Sequence, residues 1–327
     1  MTNTTPGVRR ASRARAAALA VALLLLAAAP LLLDTGGGAR YLVRLLIIGL
    51  LYVTAAVAWD LVGGLAGQVS FGHATFFGVG AYVAAILVRQ DVPIAVTILP
   101  AAAAAAAYAV VWGWPCLRLR GPFFAIATIG VGEATRLFAL VLEPVTGGAT
   151  GLTLPIGGGG PATPFYLALG LAAGSLTISF RVRRSRLGLG LSCVREDIDA
   201  AESIGIRSGW LQLQALMASA ALVGAAGAVY ARYLYYVEPG DVFSFNRSIG
   251  FILMAIIGGV NTLWGPALGA ALFLALEQVL AVSFPDFHLG IYGLLLIAVM
   301  RYEPAGLLAI LRRVRARRRR GPEATPA

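Results

Sequence analysis

The sequence predicts an all-α fold: a polytopic membrane helix bundle of about ten spans with two glycine-rich broken segments. Of its 327 residues, 59% are hydrophobic and only 13% are charged, about half the charged fraction of an average soluble domain. Uncharged apolar runs recur along the chain, each close to the roughly 20 residues that a helix needs to cross a bilayer. All 26 basic residues are arginine, and most lie near the two chain ends and in residues 181–207.

The placement of the arginines predicts which side of the membrane each segment faces. Because basic loops stay on the cytoplasmic side, we expect a basic cytoplasmic arm at residues 1–15 and a basic cytoplasmic tail at 312–327. Between them lies a transmembrane domain, 16–311, with a cytoplasmic loop at 181–209. The tail is expected to contact anionic lipid, not nucleic acid. The chain has no lysine and so no P-loop, so a partner would have to bind ATP.

Apolar segments are predicted to span in the order 16–33, 41–59, 63–87, 94–114, 123–142, 165–180, 210–236, 248–257, 267–282 and 289–300. The first could also be a cleaved signal peptide, but an uncleaved span is favoured because further spans follow. The eighth is short and interrupted. Whether residues 248–266 cross fully or dip in and return stays open.

Two glycine-rich breaks, at residues 63–72 and 258–269, interrupt the apolar pattern. Paired interruptions in two halves indicate an internal repeat with a pathway near the midplane of the membrane. Close helix packing through small residues explains the glycines equally well, so both interpretations stand. The candidate pathway residues are Gln68, Ser70, His73, Thr128, Glu133, Gly258, Gly259 and Asn261.

Intramembrane charges and histidines are the other candidates for chemistry. Glu133 and Arg136 are three residues apart and can pair on one helix face, either as an internal ion pair or as a substrate contact. Asp60, at the end of a span, is interpreted as interfacial. His73 is expected to hydrogen-bond across helices, and with Ser70 it lacks the orienting acid of a catalytic site. The sequence therefore predicts no catalytic residue, and no metal cluster of three ligands.

Residues 181–207 carry dense charge of both signs between uncharged apolar runs. They predict a short helix on the cytoplasmic face, with Asp197 as its N-cap, Ala200, Ala201 and Ile204 on one face and Gly205 as its stop. We expect another protein to dock here. The small residues would allow close approach, and charge pairs would set the register. The expected contact residues are Arg195, Glu196, Asp197, Ala200, Ala201, Glu202 and Gly205.

Four blocks in order, over roughly residues 41–300, resemble the membrane subunits of branched-chain amino acid ABC importers. They include GLAGQVSFGHATFFGVGAY (64–82), RGPFFAIATIGVGEATR with TGGATGL (120–152), and VREDIDAAESIGI (194–206). The second block is similar to the M-type subunit, and the third to the family's coupling motif. Leu189, Gln212 and Ala149 depart from the family pattern, and the first two leave the details of partner pairing open.

The resemblance implies a bacterial-type cell (inner) membrane importer without a cofactor of its own. Its expected partners are two ATP-binding subunits, a second permease subunit and an extracytoplasmic substrate-binding protein, with the central loop as the coupling helix. A related importer for urea or short amides is the nearest alternative. An ion-coupled secondary transporter is less favoured, because it would require more intramembrane carboxylates and would have no use for a docking loop. A membrane scaffold without transport would not explain the broken helices.

Overall fold

A computed structural model of the chain describes residues 37–155 and 162–283, together with residues 290, 291, 294, 297, 301 and 306–308. The described residues form a helix bundle with one short two-stranded ribbon. Six of its helices are long and apolar enough to cross a membrane. The predicted first span, the basic arm, the basic tail and most of the tenth span lie outside the described residues, so the count of ten spans stays a prediction.

The first half of the bundle follows the predicted order of helices. It consists of α1 (Gly37–Asp60), a π-helical turn (Leu61–Leu65), α2 (His73–Arg89), α3 (Ile94–Cys116), α4 (Pro122–Val141), the short α5 (Glu143–Thr146), a 3-10 turn (Gly148–Thr150) and β1 (Leu152–Thr153). The irregular beginning predicted for the third span is the π-helical turn followed by non-helical residues 66–72. This stretch, which leads into α2, is called the first break below.

The second half contains α6 (Ala162–Arg184), α7 (Arg186–Glu196), α8 (Ile198–Ser203), α9 (Ser208–Leu234), β2 (Tyr236–Val237), α10 (Pro239–Val242), α11 (Phe245–Gly258) and α12 (Gly265–Ser283). The short helix predicted in the central segment, with Asp197 as its N-cap, is α8, and it is preceded by a second helix, α7, that was not predicted. The turn between α11 and α12, residues 259–264, is called the second break below.

The two ends of the bundle are distinguished by what lies on them. Strands β1 and β2 pair antiparallel with Leu152 opposite Val237, and we call this the ribbon end. At the other end, the loop end, α7 and α8 lie beside the α3–α4 turn, where Arg120 forms an exposed ion pair with Asp199 at 2.8 Å. Successive long helices therefore run in alternate directions between the two ends.

Helix α9, 27 residues long, lies at the centre of the bundle and packs unusually closely on α2. A Cβ atom at Gly80 would lie 2.0 Å from the carbonyl oxygen of Gly224, and one at Gly227 would lie 2.0 Å from that of Phe77. These glycines let the two backbones touch, which is how small residues join helices in membranes. The Phe77 ring then packs against Phe251 on α11, which extends the core to the second half.

Candidate functional site

The two glycine-rich breaks meet at the loop end. The backbone N–H of Asn261, in the second break, donates to Oδ1 of Asp60 at the end of α1, at 2.7 Å. Asn261 adopts a left-handed backbone conformation with φ of +58°. Gly64, in the π-helical turn, leaves room for this contact, because a Cβ atom there would lie 2.7 Å from the nitrogen of Asn261. Segments about 200 residues apart in sequence are thereby joined directly.

A buried ion pair connects both breaks to the start of the central loop. Arg183, in the last turn of α6, pairs with Asp60 and donates to Oδ1 of Asn261 at 2.9 Å. Its Nε also lies 3.3 Å from the hydroxyl of Ser179. The side chain of Asp60 is 1% exposed and that of Arg183 is 16% exposed. Asp60 is therefore buried within the protein at the end of α1, its interpretation as interfacial stays a prediction, and we call Asp60, Arg183 and Asn261 the charge cluster.

Helix α7 lies directly on the first break. The Arg195 guanidinium donates to the carbonyl oxygen of Gly64 at 3.4 Å, and its aliphatic part covers Gly67. Gly67 has a φ of +73°, and a Cβ atom there would lie 2.6 Å from Cγ of Arg195, so glycine is required for both reasons. Leu191, fully buried, packs against Leu65 in the π-helical turn. Movement of α7 must therefore displace the first break or break these contacts.

The predicted capping of the docking helix, α8, is confirmed. Oδ1 of Asp197 accepts from the backbone N–H groups of Asp199 at 2.9 Å and Ala200 at 3.0 Å, which satisfies two donors of the first turn of α8. Gly205 follows the helix with a φ of +88°, as expected of a stop residue. The hydroxyl of Ser208 at the start of α9 donates to Glu202, which attaches the end of α8 to α9.

The outer face of α8 differs from the predicted one. Ala201 is only 2% exposed. Its N–H donates to the Asp197 carbonyl, and its own carbonyl accepts from the N–H of Ile206. The expectation that Ala201 faces a partner is therefore wrong. Ile204 is 73% exposed; Glu196, Asp197, Ala200 and Gly205 are also exposed. An open cleft beside them is lined by Trp114, Glu202, Arg207 and Trp210.

The polar residues of the first break come together deeper in the bundle. The Ser70 carbonyl accepts from the Trp59 indole N–H at 2.8 Å, and the Thr128 hydroxyl oxygen on α4 accepts from the N–H of Phe71 at 3.0 Å. Gln68 is buried nearby. The predicted pathway residues of this break therefore share one buried region, closed on one side by α4.

His73 connects this region to α9. Its Nε2 lies 2.9 Å from Oγ of Ser219 and its Nδ1 lies 3.2 Å from Oγ of Ser70. The Ser219 hydroxyl already donates to the Ala58 carbonyl at 2.6 Å, so it accepts from Nε2–H, and the Ser70 hydroxyl donates to Nδ1. The expected hydrogen bond of His73 across helices is confirmed. Sequence reasoning missed Ser219, whose signal is a small polar residue in an uncharged apolar helix.

The remaining predicted residues lie apart from the polar region. Gly258 packs backbone to backbone, since a Cβ atom there would lie 1.8 Å from the carbonyl oxygen of Gly265, and Gly259 follows with a φ of +116°. Glu133 and Arg136 form the predicted ion pair on α4, with Nε of Arg136 3.0 Å from Oε2 of Glu133. The pair lies within one helix and half of the Glu133 side chain is exposed, so it does not join two helices.

Residues 41–300 match the family described as the permease component of the branched-chain amino acid transport system. The high-affinity branched-chain amino acid transport system permease protein LivM of Escherichia coli K12 is 29% identical over 305 residues, which cover 84% of this chain and 71% of LivM. BraD of Pseudomonas aeruginosa is 24% identical, over 82% of this chain and 95% of BraD. LivH of E. coli K12 is 22% identical, over 80% and 92%. No solved structure matches the chain.

Proposed function

Because this chain belongs to the permease-component family of the branched-chain amino acid transport system, we propose that it is the M-type permease subunit of an ATP-binding-cassette importer. It carries branched-chain or related amino acids across the cell membrane and performs no chemistry of its own. ATP is bound by partner subunits at the loop end. A second permease subunit and an extracytoplasmic substrate-binding protein at the ribbon end complete the importer.

One observation carries this proposal: the docking loop is attached by side chains to both breaks. Ile204, the residue that follows α8, faces outward, next to a cleft flanked by two exposed tryptophans. Behind it, α7 rests on the first break through Arg195. Arg183, near the start of the loop, bonds to Asn261 in the second break and to Asp60, the residue immediately before the first break. A solvated loop without a partner would need neither the exposed apolar patch nor these internal attachments.

The mechanism follows from these attachments. Closure of the ATP-binding subunits pulls or pushes α8, and α8 moves α7 because only Asp197 separates the two helices. Arg195 then shifts against Gly64 and Gly67, while movement of Arg183 changes its bonds to Asp60 and Asn261 in the charge cluster. The first break opens or closes next to Gln68, Ser70, His73 and Thr128, and rigid spans convert this into access from one side or the other.

The ten-span topology is supported by the direction of the helices. Helix α6 runs toward the loop end, which carries the arginines of residues 181–207. Because basic loops stay on the cytoplasmic side, the loop end faces the cytoplasm. The alternation of the described helices then puts the ribbon end outside. One further crossing before α1 and one after α12 bring the arm at residues 1–15 and the tail at 312–327 to the cytoplasm, as the arginines require.

The test measures ATP-dependent uptake by the complete importer reconstituted in vesicles, and copurification of the chain with the ATP-binding subunits, each with and without the variant Ile204→Arg. The variant places a charge on the exposed apolar docking residue, so we expect both copurification and uptake to be lost while the chain stays folded. Val145→Arg, an exposed apolar residue on α5 at the ribbon end, is the matched control and should copurify normally. Uptake by this chain alone, driven by an ion gradient, would overturn the proposal in favour of a secondary transporter.

A further inference from the structure

The corner between α6 and α7 carries a cluster of exposed positive charge. Four of the six residues 181–186 are arginine, and three of them are exposed: Arg181, Arg184 and Arg186. These three form no ion pair within the described part of the chain. The sequence also has no acidic residue from position 144 to position 195. The segment around the corner therefore leaves three positive charges for something other than itself.

The corner lies at the level of the phospholipid head groups. Helix α6 has 23 residues, about 34 Å at 1.5 Å per residue, and the hydrocarbon core of a bilayer is about 30 Å thick. A helix that starts at the ribbon end and crosses this core brings its last turn, with Arg181 and Arg184, to the head groups at the loop end. Cζ of Arg184 lies 4.3 Å from the centroid of the Phe180 ring, so the guanidinium stacks on an aromatic ring at the edge of the hydrocarbon.

The backbone of the corner is tightly folded. Ser185 is the only residue between the two helices. Its hydroxyl donates to the Val182 carbonyl at 2.7 Å and accepts from the N–H of Gly188 at 3.3 Å. A Cβ atom at Gly188 would lie 2.3 Å from the Val182 carbonyl oxygen, so the two helices meet more closely than any other residue would allow. The arginines on either side of Ser185 are therefore held at one corner.

Helix α7 adds an exposed apolar side chain to this patch. Its buried residues, Gly188, Leu191 and Val194, recur every third position and lie along one face. Leu189 lies on another face and is 69% exposed, and Phe180 at the end of α6 is 41% exposed. Exposed leucine and phenylalanine beside a basic cluster, at the depth of the head groups, are typical of contacts with anionic lipid. An acidic protein surface would pair with the arginines but would have no use for the apolar side chains at this depth.

We propose that the α6–α7 corner binds the phosphodiester head group of an anionic phospholipid. The guanidinium groups of Arg181, Arg184 and Arg186 pair with the oxygens of the head group, and the acyl chains lie along Phe180 and Leu189. Under the proposed topology this lipid belongs to the cytoplasmic leaflet, where basic segments next to a span attract anionic head groups.

The bound lipid acts on the coupling loop through the same helix turn. Arg183 lies between Arg181 and Arg184 in the sequence, and it pairs with Asp60 and donates to Asn261. An anionic head group offsets the repulsion among the outer arginines and so favours the arrangement in which Arg183 stays in the charge cluster. Anionic lipid is therefore a regulator of coupling. Lipid binding itself does not depend on the proposed function; only its effect on ATP hydrolysis does.

The experiment titrates phosphatidylglycerol into the full-length chain in neutral detergent and counts the bound lipid by native mass spectrometry. We expect the double variant Arg181→Gln with Arg184→Gln to bind it about twenty-five-fold more weakly, roughly fivefold for each arginine, with binding of phosphatidylcholine unchanged. The control, Arg89→Gln with Arg118→Gln, removes the same charge at two exposed positions outside the corner and should bind phosphatidylglycerol normally. An equal loss in both double variants would overturn the inference.

Two further measurements separate this lipid from other anionic partners. Glycerophosphoglycerol, the deacylated form of the same lipid, should not displace phosphatidylglycerol at equal concentration; displacement would mean a simple anion site. In the complete importer in nanodiscs, phosphatidylglycerol should raise ATP hydrolysis relative to phosphatidylcholine, and the double variant should lose this stimulation.

The same variant also tests a protein partner at the corner. If it keeps its lipid binding but no longer copurifies with the ATP-binding subunits, the arginines contact a protein and the inference is overturned. If the wild-type chain binds phosphatidylglycerol as expected but the importer moves no amino acid with ATP, the lipid site stands and the proposed function has failed.

Discussion

Removing one member of the charge cluster should destabilise the chain by a large and measurable amount. In the variant Asp60→Ala, the acceptors left to the Arg183 guanidinium among the described residues are the side-chain oxygens of Asn261 and Ser179, and its 16% exposure limits how far water can replace the lost carboxylate. Leaving one charge of a buried pair without its partner costs about 3–5 kcal/mol. The free energy of unfolding of the purified chain in detergent measures this loss.

An exposed ion pair at the same end of the bundle provides the control. Arg120→Ala breaks the exposed contact with Asp199 and should cost less than about 1 kcal/mol. If Asp60→Ala is no more destabilising than this control, the charge cluster does not hold the breaks together and the reasoning is refuted.

The double variant Asp60→Leu with Arg183→Met separates stability from coupling. Replacing a buried ion pair by apolar side chains of similar size is often neutral or stabilising, so part of the lost free energy of unfolding should return, less about 1–3 kcal/mol for the Asn261 N–H that has lost its acceptor. The polar connection between the loop and the second break does not return, because neither new side chain can bond to Asn261. We therefore expect ATP hydrolysis by the complete importer with little uptake, and normal uptake would show that the pair serves packing alone.

The other predictions concern single positions, and the free energy of unfolding in detergent tests the first two. Gly227→Ala should lower the free energy of unfolding by about 1–3 kcal/mol, because its Cβ atom would lie 2.0 Å from a carbonyl oxygen of α2. Gly130→Ala is the control and should not destabilise the chain, because its Cβ atom would meet nothing within 4 Å. Equal values for the two variants would contradict the close α2–α9 contact. Ser219→Ala leaves Nε2–H of His73 without its acceptor and should cost about 1–3 kcal/mol; an unchanged value would refute the assigned hydrogen bonds. Gly205→Ala places a residue with a Cβ at a φ of +88°, which costs about 1–2 kcal/mol of conformational free energy, so proteolysis of the docking loop should be faster. An unchanged rate of proteolysis would mean that another backbone conformation serves equally well.

Local chemistry was predictable from the sequence at several of these sites. The N-cap at Asp197, the stop at Gly205 and the ion pair of Glu133 with Arg136 each depend on residues within eight positions of one another, so spacing alone indicates them. The irregular start of the third span was also visible, because glycines at small spacings interrupt a run of apolar residues. These features require no knowledge of how the helices pack.

The charge cluster was not predictable, because its members are far apart in the sequence. Asp60 is 123 residues from Arg183 and 201 from Asn261, and no spacing rule relates them. Burial explains a further error. Ala201 looks like a contact residue until the fold shows that it is covered. The break at Asp197 was predictable from its role as an N-cap, but the preceding helix α7 was not, because Gly188 and Gly190 are weak helix formers.

The retention of a buried ion pair at this position is better explained by movement than by stability. An apolar pair of similar volume would hold α1 and α6 together at least as well, but it would hold them in one arrangement. A charged pair with a third partner, Asn261, has bonds that can be exchanged one at a time, since Arg183 reaches both a carboxylate and an amide oxygen. Arg195 adds a second contact to the same break through the Gly64 carbonyl. The proposed mechanism uses both contacts to transmit a push as well as a pull: Arg195 contacts the first break at Gly64, and Arg183 bonds to Asp60 and to Asn261 in the second break.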